Sequence, residues 1–314
     1  MRPLRRLLLP CIAVAVLAGC GLRFTYGQLD WLIPWYLRDY VTLQPAQRSE
    51  LDRRLAGLLD WHCRAHLPDY ARLLRDLGLA VQAGPVSAAT LDAFVRRGEE
   101  LWDELMRTLT PEAAALFASL DDVQRAELAA AFERRNAETR EEFLEGSAAA
   151  LRERRIERME KRLRRWFGPL DEPQRARIAQ WNDALAPTGE DWLAQRIAWQ
   201  QSLLGALDAR SAPAAFEREL EGLLRTPEQR WPADYRARVA HNRTQTLALL
   251  ADLANGASAR QRAHLLEELA GMAADFERLA CQEAAVRAGA LGRMDTARGV
   301  PDGRLHPAGL RAAV

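Results

Sequence analysis

The sequence predicts an all-α protein, an elongated multi-helix bundle, on three observations. Apolar residues recur at three- and four-residue steps, as in Leu51, Leu55, Leu58 and Leu59, or Leu151, Ile156, Met159, Leu163 and Trp166. No stretch sustains the period-two alternation of a strand. Helix-stopping residues fall where the stripes end: Pro68, Gly84-Pro85, Gly168-Pro169, Ala186-Pro187 and Asn255-Gly256. With 314 residues, 48% hydrophobic and 28% charged, the chain has ample material for a core. Collagen-like, wholly disordered and polytopic membrane architectures are excluded.

The elements follow in order. Residues 1–19 begin with Arg2, Arg5 and Arg6 and continue into an apolar run from Leu7 to Leu17, too short to span a bilayer. This reads as a secretory signal. Leu17-Ala18-Gly19-Cys20 resembles the lipobox of bacterial lipoproteins, in which small residues fit the peptidase and only the cysteine thiol takes the diacylglyceryl thioether. The resemblance implies an acylated Cys20 and a protein held to the membrane without a spanning helix. Gly21, where an Asp would favour inner-membrane retention, implies the periplasm-facing outer membrane.

Residues 20–42 carry Phe24, Tyr26, Trp31, Trp35, Tyr36 and Tyr40 around Pro34. A short extended tether with one or two helical turns is expected. Its aromatics either sit at the bilayer interface or form the first core-packing segment, the latter being favoured. Residues 43–287 form the helical domain, divisible into two lobes. Its expected helices are 45–66, 69–78, 88–108, 112–119, 122–145, 147–167, 173–185, 190–210, 213–224, 233–254 and 259–287. Residues 288–314, rich in glycine and proline without an apolar stripe, read as a disordered tail.

Several helix starts share a motif. Leu43 to Arg48, Leu120 to Arg125 and Leu170 to Arg175 each end in Gln-Arg, with weaker copies at Thr226 to Arg230 and Ser258 to Arg262. An Asp, Thr or Ser three residues before the Gln is a capping box in four of the five. The pattern resembles, weakly, the Leu-Thr-x-x-Gln signature of the Spy/CpxP periplasmic chaperones. Its irregular spacing argues against a solenoid. The arginine after each glutamine is assigned no role.

Candidate chemistry is sparse. His62 and His66 stand four apart around Cys63 but lack the H-E-x-x-H glutamate and a visible third ligand, so structural roles are expected and no metal is assigned. No phosphate loop, nucleophile elbow or EF-hand occurs, and no cofactor is implied. Cys63 and Cys281 either bridge, in an oxidising periplasm, or remain thiols. Glu133, Arg134, Asn136 and Arg140 cluster on one predicted helix, with Glu133, Asn136 and Arg140 sharing a face. Trp192, Arg196, Trp199 and Gln200 share another, and Asn242-Arg243 follows on a third. Together they either line a polar cleft for an anionic or peptide-like ligand or form interhelical pairs that fix register, the latter being favoured. Glu133 and Glu138 are the acid/base pair of an alternative, enzymatic reading. The basic run 152–165 reads as a solvated face laced with ion pairs, the alternative being a surface for lipid headgroups or anionic polymer.

With these residues in hand, the chain resembles an uncharacterised family of proteobacterial helical lipoproteins. The resemblance rests on Cys20, Gln28 to Leu32, Leu67 to Tyr70, Glu133 to Asn136 with Arg140, Trp192 to Gln200, and Asn242-Arg243. It implies anchoring but no activity. The expected partners are the membrane, through acylated Cys20, and an envelope protein or polymer. Removing residues 1–19 takes three arginines and no acid from a chain of net charge +1, leaving a mildly acidic mature protein. Nucleic acid is therefore not an expected partner. All but one of the basic residues, Lys161, are arginine.

Overall fold

The computed structural model describes the backbone of residues 19–294 and the side chains of residues 22–280. Residues 1–18, nearly all of the expected signal 1–19, and 295–314, most of the expected tail 288–314, lie outside the described residues. Among those described there is no strand, and the chain is an all-α bundle.

Two short helices come first, α1 (Gly19–Tyr26) and α2 (Leu29–Leu37). The segment expected to be largely extended is therefore helical. Then follow α3 (Pro45–Trp61), a wide π turn at His62–His66, and α4 (Leu67–Ala83). A stop was expected at Pro68, yet the helical path continues. Proline has no N–H and its ring collides with the carbonyl four residues back. The wide turn, closed by Leu67 N–H to the His62 carbonyl, moves the backbone away from that collision. Helix α5 (Ala88–Ala118) likewise runs through Pro111, where two helices were expected, and at about 1.5 Å per residue is some 46 Å long.

The remaining helices are α6 (Asp122–Phe143), α7 (Ala148–Phe167), α8 (Glu172–Ala184), α9 (Gly189–Asp208), α10 (Pro213–Arg225), α11 (Ala233–Asn255) and α12 (Ala259–Met294). A 3-10 turn at Pro227–Arg230 separates α10 from α11. The stops at Gly84, Gly168 and Gly256 fall where the sequence places them. Gly84 and Gly168 have positive φ, a conformation that favours glycine.

The apolar stripes meet in separate cores. One joins Val81 of α4, Leu163 and Phe167 of α7, Ile178 and Trp181 of α8, Leu249 of α11 and Leu269 of α12. Another joins Ala114 of α5, Phe132 of α6, Leu207 of α9 and Leu220 of α10. Helix α5 reaches both, through Leu91 near its start and Ala114 near its end. A smaller cluster of Tyr26, Leu67 and Leu279 seats α1 on α4 and α12. Burying one such leucine or isoleucine contributes about 1.5–3 kcal/mol.

The capping glutamines do more than cap. Gln174 Nε2 donates to Gln261 Oε1 at 3.1 Å, and Gln261 Nε2 donates back at 2.9 Å. Each Oε1 also accepts its own helix's N-cap amide, from Asp171 and Ser258. Gln47 and Gln124 form the same reciprocal pair at 3.0 and 2.7 Å between the starts of α3 and α6. Two pairs of helix N-termini are thus joined back to back. The fifth copy, at Thr226 to Arg230, makes only the 3-10 turn and no side-chain cap.

Candidate functional site: a polar seam between α6 and α9

Helix α6 buries Leu128, Ala131, Phe132, Arg135 and Thr139 along one stripe. An arginine on that stripe needs polar company, because an unpaired buried charge is costly. Arg135 finds it in the α2 region: one Nη reaches Asp39 at 2.8 Å, and the guanidinium lies 4.4 Å from the Tyr40 ring centroid. Tyr36 and Tyr40 share a hydroxyl–hydroxyl hydrogen bond of 2.9 Å. Burial, followed by that bond, pushes the Tyr36 phenol well above its ordinary pKa, so it is neutral.

One residue on, Asn136 enters the seam with α9. Its Nδ2 donates to Gln200 Oε1 at 2.6 Å, while its Oδ1 accepts from Arg196 Nε at 3.0 Å and from Gln200 Nε2 at 3.3 Å. Arg196 sits 5.9 Å from the Trp192 ring centroid, and Trp192 is exposed at the seam's edge. Trp199 Nε1 donates to the Leu223 carbonyl of α10 at 2.7 Å. At the far end of the seam, Arg140 pairs with Glu190 at 3.1 Å.

The seam therefore gathers Asn136, Arg140, Trp192, Arg196 and Gln200, while Trp199 turns to α10 and packs on the neighbouring core. Glu133 and Arg134 do not join it and face solvent. Asn242 and Arg243 serve elsewhere. Asn242 holds both the N–H and the carbonyl of Ala186, at 2.8 and 2.9 Å, and so fixes the turn before Pro187. Arg243 pairs with Asp92, at 2.8 Å, and Glu99 of α5. Arg135 was missed by the sequence reading, which took Arg134 from the same motif. Its three- and four-residue spacing from Phe132 and Thr139 is the signal that identifies it.

The arginines after the capping glutamines also acquire roles. Arg125 bonds the Leu204 carbonyl and Asp208 of α9, Arg262 bonds the Val81 carbonyl, and Arg48 pairs with Asp52. In the basic helix, Arg152 pairs with Asp183 at 2.6 Å, Arg165 with Glu268 at 3.6 Å, and Arg158 covers Phe143.

A second cluster surrounds the π turn. Tyr26 hydroxyl and His62 Nδ1 are 2.9 Å apart. His66 is fully buried, with Trp61 stacked at 5.0 Å and Tyr70 edge-on at 4.7 Å. Glu104 lies 3.9 Å from His66 Nε2. Burial, then neighbouring His66, pushes His62 down to about 4, and burial depresses His66 as well, so both rings are neutral. Among the described residues no three His, Cys, Asp or Glu side chains converge as metal ligands. Cys63 Sγ lies 3.3 Å from the carbonyl oxygens of both Leu279 and Ala280, just before Cys281, whose side chain lies outside the described residues.

Two concavities lie apart from both clusters. One of about 140 Å³ is bounded by Asp171, Gln174, Arg177 and Asp252, and a shallow depression runs along Arg96 to Arg107 of α5.

Comparison with known proteins bears on the same region. A family of unknown function, DUF6279, matches residues 39–236. The chain belongs to that family. The match opens at Asp39, the partner of Arg135, and contains the whole seam and the Gln47–Gln124 pair. Cys20, Gln28 to Leu32 and Asn242-Arg243, which carried part of the sequence resemblance, lie outside it. No curated protein and no solved structure matches the chain.

Proposed function

We propose that this DUF6279 protein is a non-enzymatic lipoprotein of the bacterial outer membrane, facing the periplasm. Acylated Cys20 tethers it, and its helical domain binds a protein or envelope component. Chaperone-like action is a special case of that binding. The observation that carries the reading is the lipobox at Leu17 to Cys20, whose cysteine lies in the first turn of the first described helix. Two acyl chains or more give stable anchoring, which a single chain does not. No helix among the described residues is long and apolar enough to cross a membrane, which leaves the acylated cysteine as the proposed attachment.

Binding is favoured over catalysis by the seam. Its amides hydrogen-bond one another and Arg196, and of the two candidate acid/base residues Glu133 is exposed and Glu138 half-buried, neither lining the two concavities described. General acid–base catalysis needs a positioned group facing bound substrate. Fractionation of cells making the full chain tests the reading. The native protein is expected with the outer membrane, and Cys20→Ser as a soluble helical protein in the periplasm. Recovery of the native chain in the cytosol contradicts it.

A further inference from the structure

Helix α1 begins at Gly19, so Cys20 already lies within its first turn, and the fold follows without a linker. Tyr26 is buried against Leu67 and Leu279, with Leu22 and Leu29 packed beside it. The other side of the same helix is different. Phe24 is 68% exposed and stands one turn, four residues, from Cys20. Trp31 in α2 is 54% exposed and stacks on Trp35, ring centroids 6.0 Å apart. The single carboxylate between them, Asp30, accepts the Trp31 N–H at 2.8 Å. Arg23, also exposed, adds a cation beside Phe24.

The anchor's position decides what covers this face. A helix rises about 1.5 Å per residue, so Phe24 lies about 6 Å along the axis from the acylated position. Amphipathic helices bury their apolar side about 5–10 Å into the headgroup and acyl boundary. Aromatic rings concentrate at that depth. We propose that the acylated N-terminal segment lies on the bilayer, with Phe24 and Trp31 in the headgroup layer, and that this contact fixes the orientation of the whole domain. The anchor is then a rigid mount and not a leash. The proposal rests on the lipoprotein reading of Cys20.

Purified native protein in vesicles of phosphatidylethanolamine and phosphatidylglycerol, brominated high on one acyl chain, tests it. Bromine quenches only indoles within reach of the interface. Tryptophan emission of the acylated protein is expected to be quenched, and Trp31→Phe, a mild surface change, is expected to remove more than about half of that quenching. Quenching that Trp31→Phe leaves intact places another surface on the bilayer and overturns the proposal. So does an acylated chain with no quenching, or one that crosslinks through position 31 to a second copy instead. The mass of the purified chain keeps the two readings apart: without acyl mass the anchor itself falls, whereas acyl mass without quenching leaves the anchor and removes only the mount.

Discussion

Gln174 and Gln261, 87 residues apart in the chain, exchange side-chain hydrogen bonds in the interior while each holds its own helix start. Neither amide can be spared alone. Replacing Gln174 by Leu leaves the Asp171 N–H without its acceptor and takes one of two hydrogen bonds from each amide atom of Gln261, which keeps Ser258 and the Pro169 carbonyl, at about 1–3 kcal/mol. Urea unfolding of Gln174→Leu, Gln261→Leu and the double variant is expected to show a coupling of about 1 kcal/mol. Strict additivity contradicts a working pair.

Arg135 makes a different kind of bond between elements. Its planar group both pairs with Asp39 and stacks on Tyr40, and an ammonium reproduces only the first. Arg135→Lys is expected to lose about 1–2 kcal/mol, near the value of a largely desolvated cation–π contact. A cycle with Tyr40→Leu checks the assignment, because Lys at 135 then costs distinctly less.

Asn242 and Asn255 sit on the same helix and perform the same task. Asn255 holds the N–H and carbonyl of Val86, at 2.8 and 2.9 Å, as Asn242 holds those of Ala186. Asn242→Ala is expected to destabilise by about 1–3 kcal/mol. It should also speed hydrogen exchange at the Ala186 amide and leave Val86 unchanged. Equal exchange at Ala186 in both proteins would show that the clamp does not hold the turn.

The π turn predicts a pH dependence. The unfolded His62 imidazole takes a proton near pH 6.5, whereas in the fold it does so only near 4. Between those values the unfolded state binds the extra proton, so stability is fully present above pH 6.5 and falls as pH drops toward 4. The loss is on the order of 3 kcal/mol for His62, and His66 acts in the same direction. Arginine-paired carboxylates belong to a separate, more acidic window: Asp183, held at about 2 chiefly by Arg152, protonates far below this range. Urea midpoints are expected to decline from about pH 7 to 5 in the native sequence and to decline distinctly less in His62→Phe, where His66 alone remains. Parallel curves would remove His62 as the cause.

What the sequence made legible follows from range. Helices were readable because their periodicity is local, and the capping boxes because Asp171 and Gln174 lie one turn apart. Their pairing was not, because Gln261 is 87 residues away and nothing local selects it. Pro68 misled for a related reason: a proline stops a regular helix, but one wide turn at His62 to His66 accommodates it. Asn136, Arg196 and Gln200, grouped in the sequence by helix-face spacing, meet across α6 and α9, while a one-residue step around the helix separates exposed Arg134 from buried Arg135. Asn242 and Arg243 looked like cleft residues because side-chain chemistry alone does not distinguish a ligand from the turn at Ala186. The aromatic segment is divided, with Tyr26 in the core and Phe24 and Trp31 exposed.

The central claim is that Cys20 becomes the acylated first residue. Mass spectrometry of the N-terminal tryptic peptide of the membrane-extracted protein measures it directly. The account predicts a peptide running from Cys20 to Arg23 that carries diacylglyceryl and N-acyl groups. A peptide with an unmodified Cys20, or one that still retains residues before it, would contradict the account.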